Sequence, residues 1–395
     1  MKFTSYWHDS SAPFDQAQGG PVEGSFDVAV IGGGFTGLNA ARKLARAGVR
    51  VALLEADRIG AGGSGRSIDM IEEVITEEGI DCNFRRAGKL KLASKPGHVA
   101  GLRANFELIH TEVDADTRWI DASDLPGEIG SQAFHGGMLY EKAAMMHMGR
   151  YAKGLADAAH RHGVQIWEGA PVQARARAGS AWELTTPKGR LRAERVILAT
   201  GAYTGQIKTA PFHWFRRRII PVGSYIIATR PLTPGEIAVT MPGNRNCVTS
   251  MNIGNYFRLS PDNRLIFGGR ARFSAVSDQR SDEKSGRILR EGLARIFPHL
   301  ADVPIDYCWG GLVGMTKDRY PRAGEHDELI YGMGYSGHGA QMSTLIGQSL
   351  ADMAMGRADT NPLAGLDWPA IPAHSGKPWF LPLVGLWFGL KDRLS

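Results

Sequence analysis

The sequence is poor in cysteine, and this scarcity excludes two structural classes. Among the 395 residues only Cys82, Cys247 and Cys308 occur, and no two of them form a CxxC pair. A disulfide framework or a zinc site needs paired or closely spaced cysteines. We therefore expect free thiols, no metal site and a protein of the reducing cytoplasm.

Long apolar runs and a secretion signal are also missing. Residues 1–9 contain no apolar signal core, and no stretch has the roughly 18–20 apolar residues that a membrane span requires. The apolar tail, residues 376–395, is the exception that needs an explanation. It packs on its own protein or on a second subunit, or it makes a weak contact with a membrane surface.

Basic residues are in slight excess but are not clustered. The formal net charge is +6, and the longest basic run is Arg216–Arg218. No module of interleaved aromatic and basic residues accompanies this charge, so nucleic acid is not an expected partner. A solvated surface, with a few arginines on cofactor phosphates, accounts for the excess.

A complete βαβ unit is predicted near the start of the chain. Phe26–Ile31 is an apolar run typical of a buried parallel strand, a helix is expected over 36–47, and a second strand over 49–55. Between the first strand and the helix stands a GxGxxG motif, which in this setting is typical of dinucleotide binding.

Each residue of that motif has an expected task. Gly32 permits the tight turn, Gly34 lets the backbone approach a pyrophosphate, and Gly37 allows close packing of helix on strand. Phe35 and Thr36 open the helix, whose free N–H groups favour phosphates. A carboxylate at the end of the second strand, Glu55, is expected to accept the ribose hydroxyls of an adenosine.

Three further glycine-containing segments accompany this unit. Residues 60–67 suit a loop around a pyrophosphate and favour FAD over NAD, although a flexible linker is the alternative. The strand end at 196–202 can approach the adenosine side, or be an ordinary strand end. Residues 332–340 open another helix, whose N-terminus can stabilise negative charge on a reduced flavin. His338 in this segment could instead be a capping or core histidine.

Together these segments resemble the flavoenzyme family that includes D-amino-acid oxidase, glycine oxidase and sarcosine oxidase. The similarity is greatest to its bacterial gamma-glutamylputrescine oxidase-like branch. It rests on the lead-in Ser5-Tyr6-Trp7 and on the segments 30–38, 63–66, 309–321 and 334–339. The resemblance implies an α/β (α+β overall) protein, with a Rossmann-type FAD-binding domain that is interrupted by a β-rich antiparallel substrate domain. The expected FAD domain comprises 1–67, 145–215 and 305–375, the substrate domain 68–144 and 216–304, and the tail 376–395.

The motifs and the resemblance yield a set of expected site residues. The cofactor is expected to contact Gly32, Gly34, Phe35, Thr36, Gly37, Glu55, Ala56, Arg58, Gly62, Gly63, Ser64, Arg66, Ser67, Val172, Ala199, Thr200, Gly201, Gly311, Gly334, Gly337, His338, Gly339 and Ala340. Tyr335 and His338 are the candidates to lie beside the flavin, and Trp309 to form a wall of the site.

Departures from the family pattern narrow the expected chemistry. Glycine-oxidase-like relatives carry an arginine for the substrate carboxylate after Trp-x-Gly, whereas residues 312–314 here are Leu-Val-Gly. Sarcosine-oxidase-like relatives tether the flavin through a cysteine near this place, whereas Gly314 or Met315 stands here, so non-covalent FAD is expected. The strand 264–270 lacks the lysine that assists oxygen reduction in those relatives, so oxygen and another electron acceptor both stay open.

The resemblance therefore implies a two-electron oxidation of a C–N bond in an amine of the polyamine or N-acylated diamine type. Hydride would pass from the α-carbon to flavin N5, and the imine would hydrolyse to an aldehyde. Three alternatives stay open: an amino-acid dehydrogenase or oxidase of the same family, a tRNA-modifying flavoenzyme, and a non-catalytic protein with a flavin fold.

One stretch of the family pattern is missing after Ser67. Residues 66–67 run at once into 68–73, where relatives have a glycine-rich stretch and further helices, roughly 40–50 residues in all, the length of a functional loop. We expect that these residues exist as a flap and that the numbering runs on without them. The alternative is that the gene has lost them. A Cα–Cα step well above about 3.8 Å between Gly65 and Met70 would show such a break.

Overall fold

A computed structural model describes residues 1–59, 68–205, 212–272 and 283–394. These residues form eighteen strands and ten α-helices. The strands are β1 (Ser25–Ile31), β2 (Val51–Leu54), β3 (Arg85–Arg86), β4 (Lys89–Leu92), β5 (Arg118–Ile120), β6 (Gly137–Tyr140), β7 (Ala144–Met145), β8 (Gln165–Trp167), β9 (Ala174–Ala178), β10 (Ala181–Thr186), β11 (Gly189–Leu198), β12 (Ile220–Pro231), β13 (Asn246–Thr249), β14 (Tyr256–Leu259), β15 (Arg264–Arg272), β16 (Ile305–Met315), β17 (Arg322–His326) and β18 (Leu329–Met333). The helices are α1 (Tyr6–Asp9), α2 (Phe35–Arg46), α3 (Ile68–Glu78), α4 (His98–Glu112), α5 (Met148–Arg161), α6 (His213–Arg216), α7 (Pro234–Thr240), α8 (Glu283–Ile296), α9 (Gly339–Ala354) and α10 (Leu381–Leu394).

The first sheet is the dinucleotide-binding type of layer that the sequence predicts. Its strands run in the order β17-β18-β11-β1-β2-β8, and β10 and β9 extend from β11. β1 pairs in parallel with both β11 and β2. It is apolar on both faces because Val28 and Val30 pack into a core with α2, α5 and α9, while Ala29 and Ile31 pack into a core on the other side.

The second sheet is mainly antiparallel, in the order β16-β12-β15-β14-β13-β4-β6-β5. One face packs on α8, where Phe257 and Phe267 meet Leu289 and Leu293. The opposite face carries Ile226 and Trp309, which pack with Tyr6 and Trp7 of the N-terminal segment. This second face is therefore the one turned towards the N-terminal segment and the first sheet.

The mixed α/β architecture with a sheet of each kind confirms the predicted fold class. Two contacts link segments that the predicted division of the chain assigns to different domains. β16, predicted to belong to the first domain from residue 305, pairs with β12 along its whole length. α3 packs through Ile71 and Val74 into the core of the first sheet, because both side chains lie on its one apolar face. The division of the chain into two domains and a tail stays a prediction.

Residues 60–67 are outside the described residues, and so is the interval that would test for a break after Gly65. The three cysteines are buried and free. Burial raises the pKa of the Cys82 thiol to about 12, so it is inert as a nucleophile at neutral pH. Within the described ranges, no helix is long and apolar enough to cross a membrane.

Candidate cofactor and substrate site

A cavity opens where β1, β2 and β11 of the first sheet end and α2 begins. This is the edge at which a parallel sheet of this type binds nucleotides. It is lined by Ile31, Gly32, Gly34, Phe35, Thr36, Leu54, Glu55, Ala56, Asp57, Pro171, Val172, Ala199, Thr200, Gly201, Ala202, Tyr203, Leu312, Val313, Gly314, Gly334, Tyr335, Ser336, Gly337 and Ser343.

The first glycine motif has the geometry of a pyrophosphate cradle. Gly32 has φ +109°, and a Cβ there would stand 2.8 Å from the carbonyl oxygen of Ala199. Gly34 is the N-cap of α2 and would point a Cβ into open space. Gly37 faces the strand instead, where a Cβ would come within 2.0 Å of the carbonyl oxygen of Gly32. The free N–H groups of the first turn of α2 therefore point into the space beside Gly34.

Glu55 stands at the end of β2 with its carboxylate held by backbone donors. Oε2 accepts the N–H of Gly33, and Oε1 accepts the N–H of Asp57 at 2.9 Å. Burial raises the pKa of Glu55, and the two N–H groups oppose that shift. The carboxylate is thus fixed beside the glycine turn, and its remaining lone pairs are available to hydroxyl donors.

The fourth glycine segment closes the other side of the cavity. The hydroxyl of Tyr335 lies 2.7 Å from Oγ1 of Thr36, which ties this segment to the first turn of α2. Burial raises the pKa of Tyr335. The Ser336 N–H donates to the carbonyl of Gly314 at 2.9 Å, so the segment is also fixed to β16. His338 is the N-cap residue of α9; its side chain makes no capping hydrogen bond and is exposed.

The structure brings most of the expected site residues together. Those that line the cavity are Gly32, Gly34, Phe35, Thr36, Glu55, Ala56, Val172, Ala199, Thr200, Gly201, Gly334, Gly337 and Tyr335. Those outside its lining are Gly37, Arg58, Trp309, Gly311, His338, Gly339 and Ala340. Gly62, Gly63, Ser64, Arg66 and Ser67 lie outside the described residues. The individual contacts with the cofactor stay predictions.

Several lining residues were not expected from the sequence. Tyr203 follows the segment 196–202, and Asp57 follows Glu55, so extension of those motifs by one or two residues could have found them. Leu312 and Gly314 stand in the stretch 312–314 that was compared with the relatives, but their place in the cavity depends on the pairing of β16 with β12. Ser343 comes from the second turn of α9, and its buried hydroxyl has no partner among the described residues.

The residues present fit FAD. The cavity runs from Val172 and Glu55, on the adenosine side, past the N-terminus of α2 to the segment 312–314. The open space at Gly34 is where a pyrophosphate would be held, and Glu55 is placed to accept ribose hydroxyls. Leu312 and Val313 make the far end apolar, as suits an isoalloxazine ring.

A second set of residues extends away from that far end along one face of the second sheet. Cross-strand pairing places Val313 beside Val222, then Gly311 beside Ser224, then Trp309, Ile226, Gly268 and Tyr256 in one row. Arg258 lies in the following row with Ile266, Ala228 and Tyr307. Since residues opposite each other in a sheet share a face, these side chains form one surface.

This surface borders open space at Gly311. A Cβ on Gly311 would meet nothing within 4 Å. Desolvation by the surrounding protein raises the pKa of Tyr256, although 36% of the residue's surface is accessible to solvent. The Tyr256 hydroxyl lies 3.0 Å from Oγ of Ser224. The face that carries Val313 therefore continues beyond the cavity lining as far as Tyr256.

Comparison with known proteins agrees with the geometry. The profile of the DAO family, described as FAD dependent oxidoreductase, matches residues 27–71 and 64–353. The chain is 32% identical to the gamma-glutamylputrescine oxidoreductase of Escherichia coli (strain K12), over 99% of each chain. It is 33% identical to the probable oxidoreductase OrdL of Haemophilus influenzae, over 84% of this chain and 83% of that protein. The crystal structure of glycine oxidase from Geobacillus kaustophilus shares the fold, with TM-score 0.72, 22% identity and coverage of 90% and 98%.

These alignments bear on the stretch expected after Ser67. The two parts of the family match meet and overlap at residues 64–71. The alignment with the E. coli protein extends over 435 positions, 40 more than the 395 residues of this chain. At least that many positions of the relative have no counterpart here. The family match over most of the chain, the two relatives above 30% identity and the cavity geometry lead to one conclusion: the chain belongs to the DAO family of FAD-dependent oxidoreductases, enzymes that act on the C–N bonds of amine donors.

Proposed function

We propose that this enzyme oxidises an amine of the polyamine or N-acylated diamine type, with non-covalently bound FAD. The proposal depends mainly on the position of Val313. It lines the cavity at the end of the segment where glycine-oxidase-like relatives would place an arginine for the carboxylate of an α-amino acid. An apolar wall there gives no bidentate partner to a carboxylate beside the reacting carbon. The name of the E. coli relative, gamma-glutamylputrescine oxidoreductase, supports the same substrate class.

The reaction class follows from the cofactor and the walls of the site. Bound FAD supplies a two-electron acceptor for the C–N bond. The substrate loses two electrons and two protons overall to become an imine, and water converts the imine to an aldehyde and a released amine. Leu312 and Val313 disfavour a charged ammonium because burial in apolar surroundings lowers an amine pKa, which favours the neutral amine that can be oxidised.

The remaining lining residues position the two reactants. Tyr335 fixes the fourth glycine segment to Thr36 and so sets the distance between α2 and α9. The Ser336 N–H bond to Gly314 holds that segment against β16. Tyr335, His338 and Trp309 remain our candidates for residues beside the reacting groups, with Tyr335 the one that lines the cavity.

An anaerobic flavin-bleaching series tests the substrate class. We expect an N-acylated putrescine or putrescine itself to bleach the 450 nm band faster than glycine or D-alanine does. Faster bleaching by the amino acids would instead support the amino-acid oxidase alternative. Admission of air after bleaching then shows whether oxygen restores the band or another acceptor is needed.

Two variants at one position make the test specific. Val313→Arg introduces the missing guanidinium, and Val313→Leu changes bulk without charge. We expect Val313→Arg to raise the ratio of amino-acid to amine reactivity by at least about tenfold over Val313→Leu, since a bidentate carboxylate pair is worth at least that factor. Equal ratios in both variants would contradict the assigned role of this wall.

A further inference from the structure

We propose that Arg258 binds a carboxylate of the substrate that is separated by several bonds from the oxidised C–N bond. This inference rests on the proposed amine oxidation and specifies its substrate class: an amine whose far end is anionic.

The first argument is the place of Arg258. It lies on the same sheet face as Val313, Gly311 and Tyr256, in the row beyond Tyr256. Val313 and Trp309 are four residues apart on β16, which corresponds to about 13 Å of strand. A group bound by Arg258 is thus remote from the flavin end of the cavity.

The second argument is the state of its guanidinium. Nη2 donates to the carbonyl of Met146 at 3.0 Å, and the group lies 4.9 Å from the ring centre of Trp7. Within the described ranges Arg258 forms no ion pair, whereas Arg264 on β15 and Arg245 just before β13 are each paired with two carboxylates. Arg258 is half-buried, so its charge is only partly solvated, and an anionic ligand would supply the missing counterion.

The charges around Arg258 add to this. Arg85 and Arg258 repel each other, and burial lowers the pKa of Arg258 to about 10, so it remains a cation at neutral pH. Arg150 and Arg258 both disfavour protonation of the neighbouring His147. Asp262, the acid that acts on the neighbouring His147, is already engaged by Tyr6, Ser260 and Arg264. An anionic ligand would therefore enter a locally positive site.

The surface between Val313 and Arg258 suits a chain of methylene groups. Ile226, Trp309 and Trp7 supply apolar and aromatic contact, and the open side of Gly311 leaves room for the chain. The Tyr256 and Ser224 hydroxyls lie between the ends and can bond to an amide within the substrate.

Equilibrium binding to the FAD-loaded enzyme tests the proposal without turnover. The probes are 10-trimethylammoniodecanoate, whose quaternary nitrogen cannot be oxidised in this way, and the matching primary amide, which has no charge at that end. We expect the wild type to bind the carboxylate at least about tenfold more tightly than the amide, because a charge-assisted bidentate pair contributes that much. In Arg258→Met, which keeps the apolar stem, this preference should disappear, and Arg258→Lys should restore part of it.

If Arg258 had only a structural role, Arg258→Met would weaken the binding of both probes by the same factor. That result, or an unchanged preference for the carboxylate probe, would overturn the proposal. Arg118→Met, an exposed arginine on β5, serves as the control and should keep the preference. If the preference follows Arg258 but no amine bleaches the flavin, the proposed reaction fails while the anion site stands.

An independent observation concerns the outer face of α10. We infer that this face lies on an anionic membrane surface. Its exposed side chains are Leu383, Leu386, Trp387, Leu390 and Leu394, each more than half accessible. Spacings of three and four residues place them on one stripe. Asp392 on the opposite side is buried against the substrate domain, where it accepts N–H groups of Asn252 and Ile253.

The charges beside the stripe favour an anionic membrane over a second copy of the protein as the binding partner. Lys391 lies one turn beyond Trp387, and Arg393 lies beside Leu386 and Leu390, so a cation borders the stripe on each side. A second copy of this helix would bring like charges together, whereas anionic lipid headgroups would pair with them while the stripe enters the apolar layer. Trp387 within the stripe and the exposed Trp379 just before the helix suit the interface.

Sedimentation with vesicles tests this surface. We expect the intact enzyme to bind vesicles that contain phosphatidylglycerol at least about tenfold better than pure phosphatidylcholine, with loss at high salt. The double substitution Leu386→Ser with Trp387→Ser should abolish binding, and Lys391→Gln with Arg393→Gln should remove the lipid preference. Leu108→Ser, at an exposed leucine of α4, is the control. Binding that ignores the stripe, or a concentration-dependent dimer that needs it, would overturn the inference.

Discussion

At the residue scale, Gly34 and Gly37 of one motif have opposite surroundings. A Cβ on Gly34 would meet nothing within 4 Å, whereas a Cβ on Gly37 would overlap the carbonyl of Gly32. Gly34 therefore leaves space for a ligand, and Gly37 leaves space for the protein's own backbone. Substitutions at the two positions should separate cofactor binding from folding.

We expect Gly34→Val to abolish flavin retention and to leave the melting temperature of the apoprotein near that of the wild-type apoprotein, because the new side chain occupies only cofactor space. Gly37→Ala should destabilise the fold by about 1–3 kcal/mol or more, since α2 must move off β1. The measurements are the ratio of flavin to protein absorbance and the melting of both apoproteins. A Gly34→Val protein that is still yellow would contradict the placement of the pyrophosphate.

At the element scale, His147 is the N-cap of α5. Its side chain accepts the N–H of Arg150 and lies 2.9 Å from Oγ of Ser10. Burial, helped by Arg150 and Arg258, lowers the pKa of His147 to about 4. The native state thus holds the neutral ring, and the unfolded chain binds a proton below its ordinary pKa of about 6.5.

The stability from His147 is therefore complete above pH 6.5 and is lost as the pH falls towards 4. Between pH 7.5 and pH 5 the loss should be about 2 kcal/mol. His147→Asn keeps a capping residue without a titrating ring. In urea unfolding, the free energy of unfolding of this variant should therefore fall by about 2 kcal/mol less than that of the wild type between pH 7.5 and pH 5. Ser10→Ala removes a partner of the ring and should lose stability with falling pH as the wild type does. An equal loss in His147→Asn would refute the role of His147.

A second element, α10, is attached through one buried carboxylate. Asp392 accepts three hydrogen bonds from Asn252 and Ile253. Asp392→Ala leaves those donors unsatisfied at about 1–3 kcal/mol each, so the helix should detach. We expect limited chymotrypsin digestion at Trp387 and Phe388 to accelerate at least about tenfold. Asp359→Ala, an exposed acid outside the helix, should be cleaved like the wild type, and equal rates in both variants would show another attachment.

At the scale of the whole molecule, the link between protein and cofactor is open to a simple test. The position at which a tethering cysteine would be expected holds Gly314 or Met315, and the described cysteines are all buried. Acid precipitation should therefore leave a colourless pellet and a yellow supernatant. A yellow pellet would show a covalent link and contradict the prediction.

Much of the cofactor half of the site could be predicted from the sequence. Gly32, Gly34, Thr36 and Glu55 act within one βαβ unit, where a strand end, a turn and a helix start follow each other along the chain. The observed β1, α2 and β2 differ from the predicted elements by only one or two residues at their ends. The stretch expected after Ser67 rests on a local break in the same pattern and stays a prediction.

The surface that we propose for the substrate was decided by tertiary structure alone. Thr36 meets Tyr335 across 299 residues of chain, and Arg258 meets Met146 across 112. Val313 and Arg258 share a surface only because β16 pairs with β12, β12 with β15 and β15 with β14. Motifs encode contacts between near neighbours, where chain geometry leaves few choices. The pairing of distant strands depends on the burial of whole faces, which no single segment of the sequence contains.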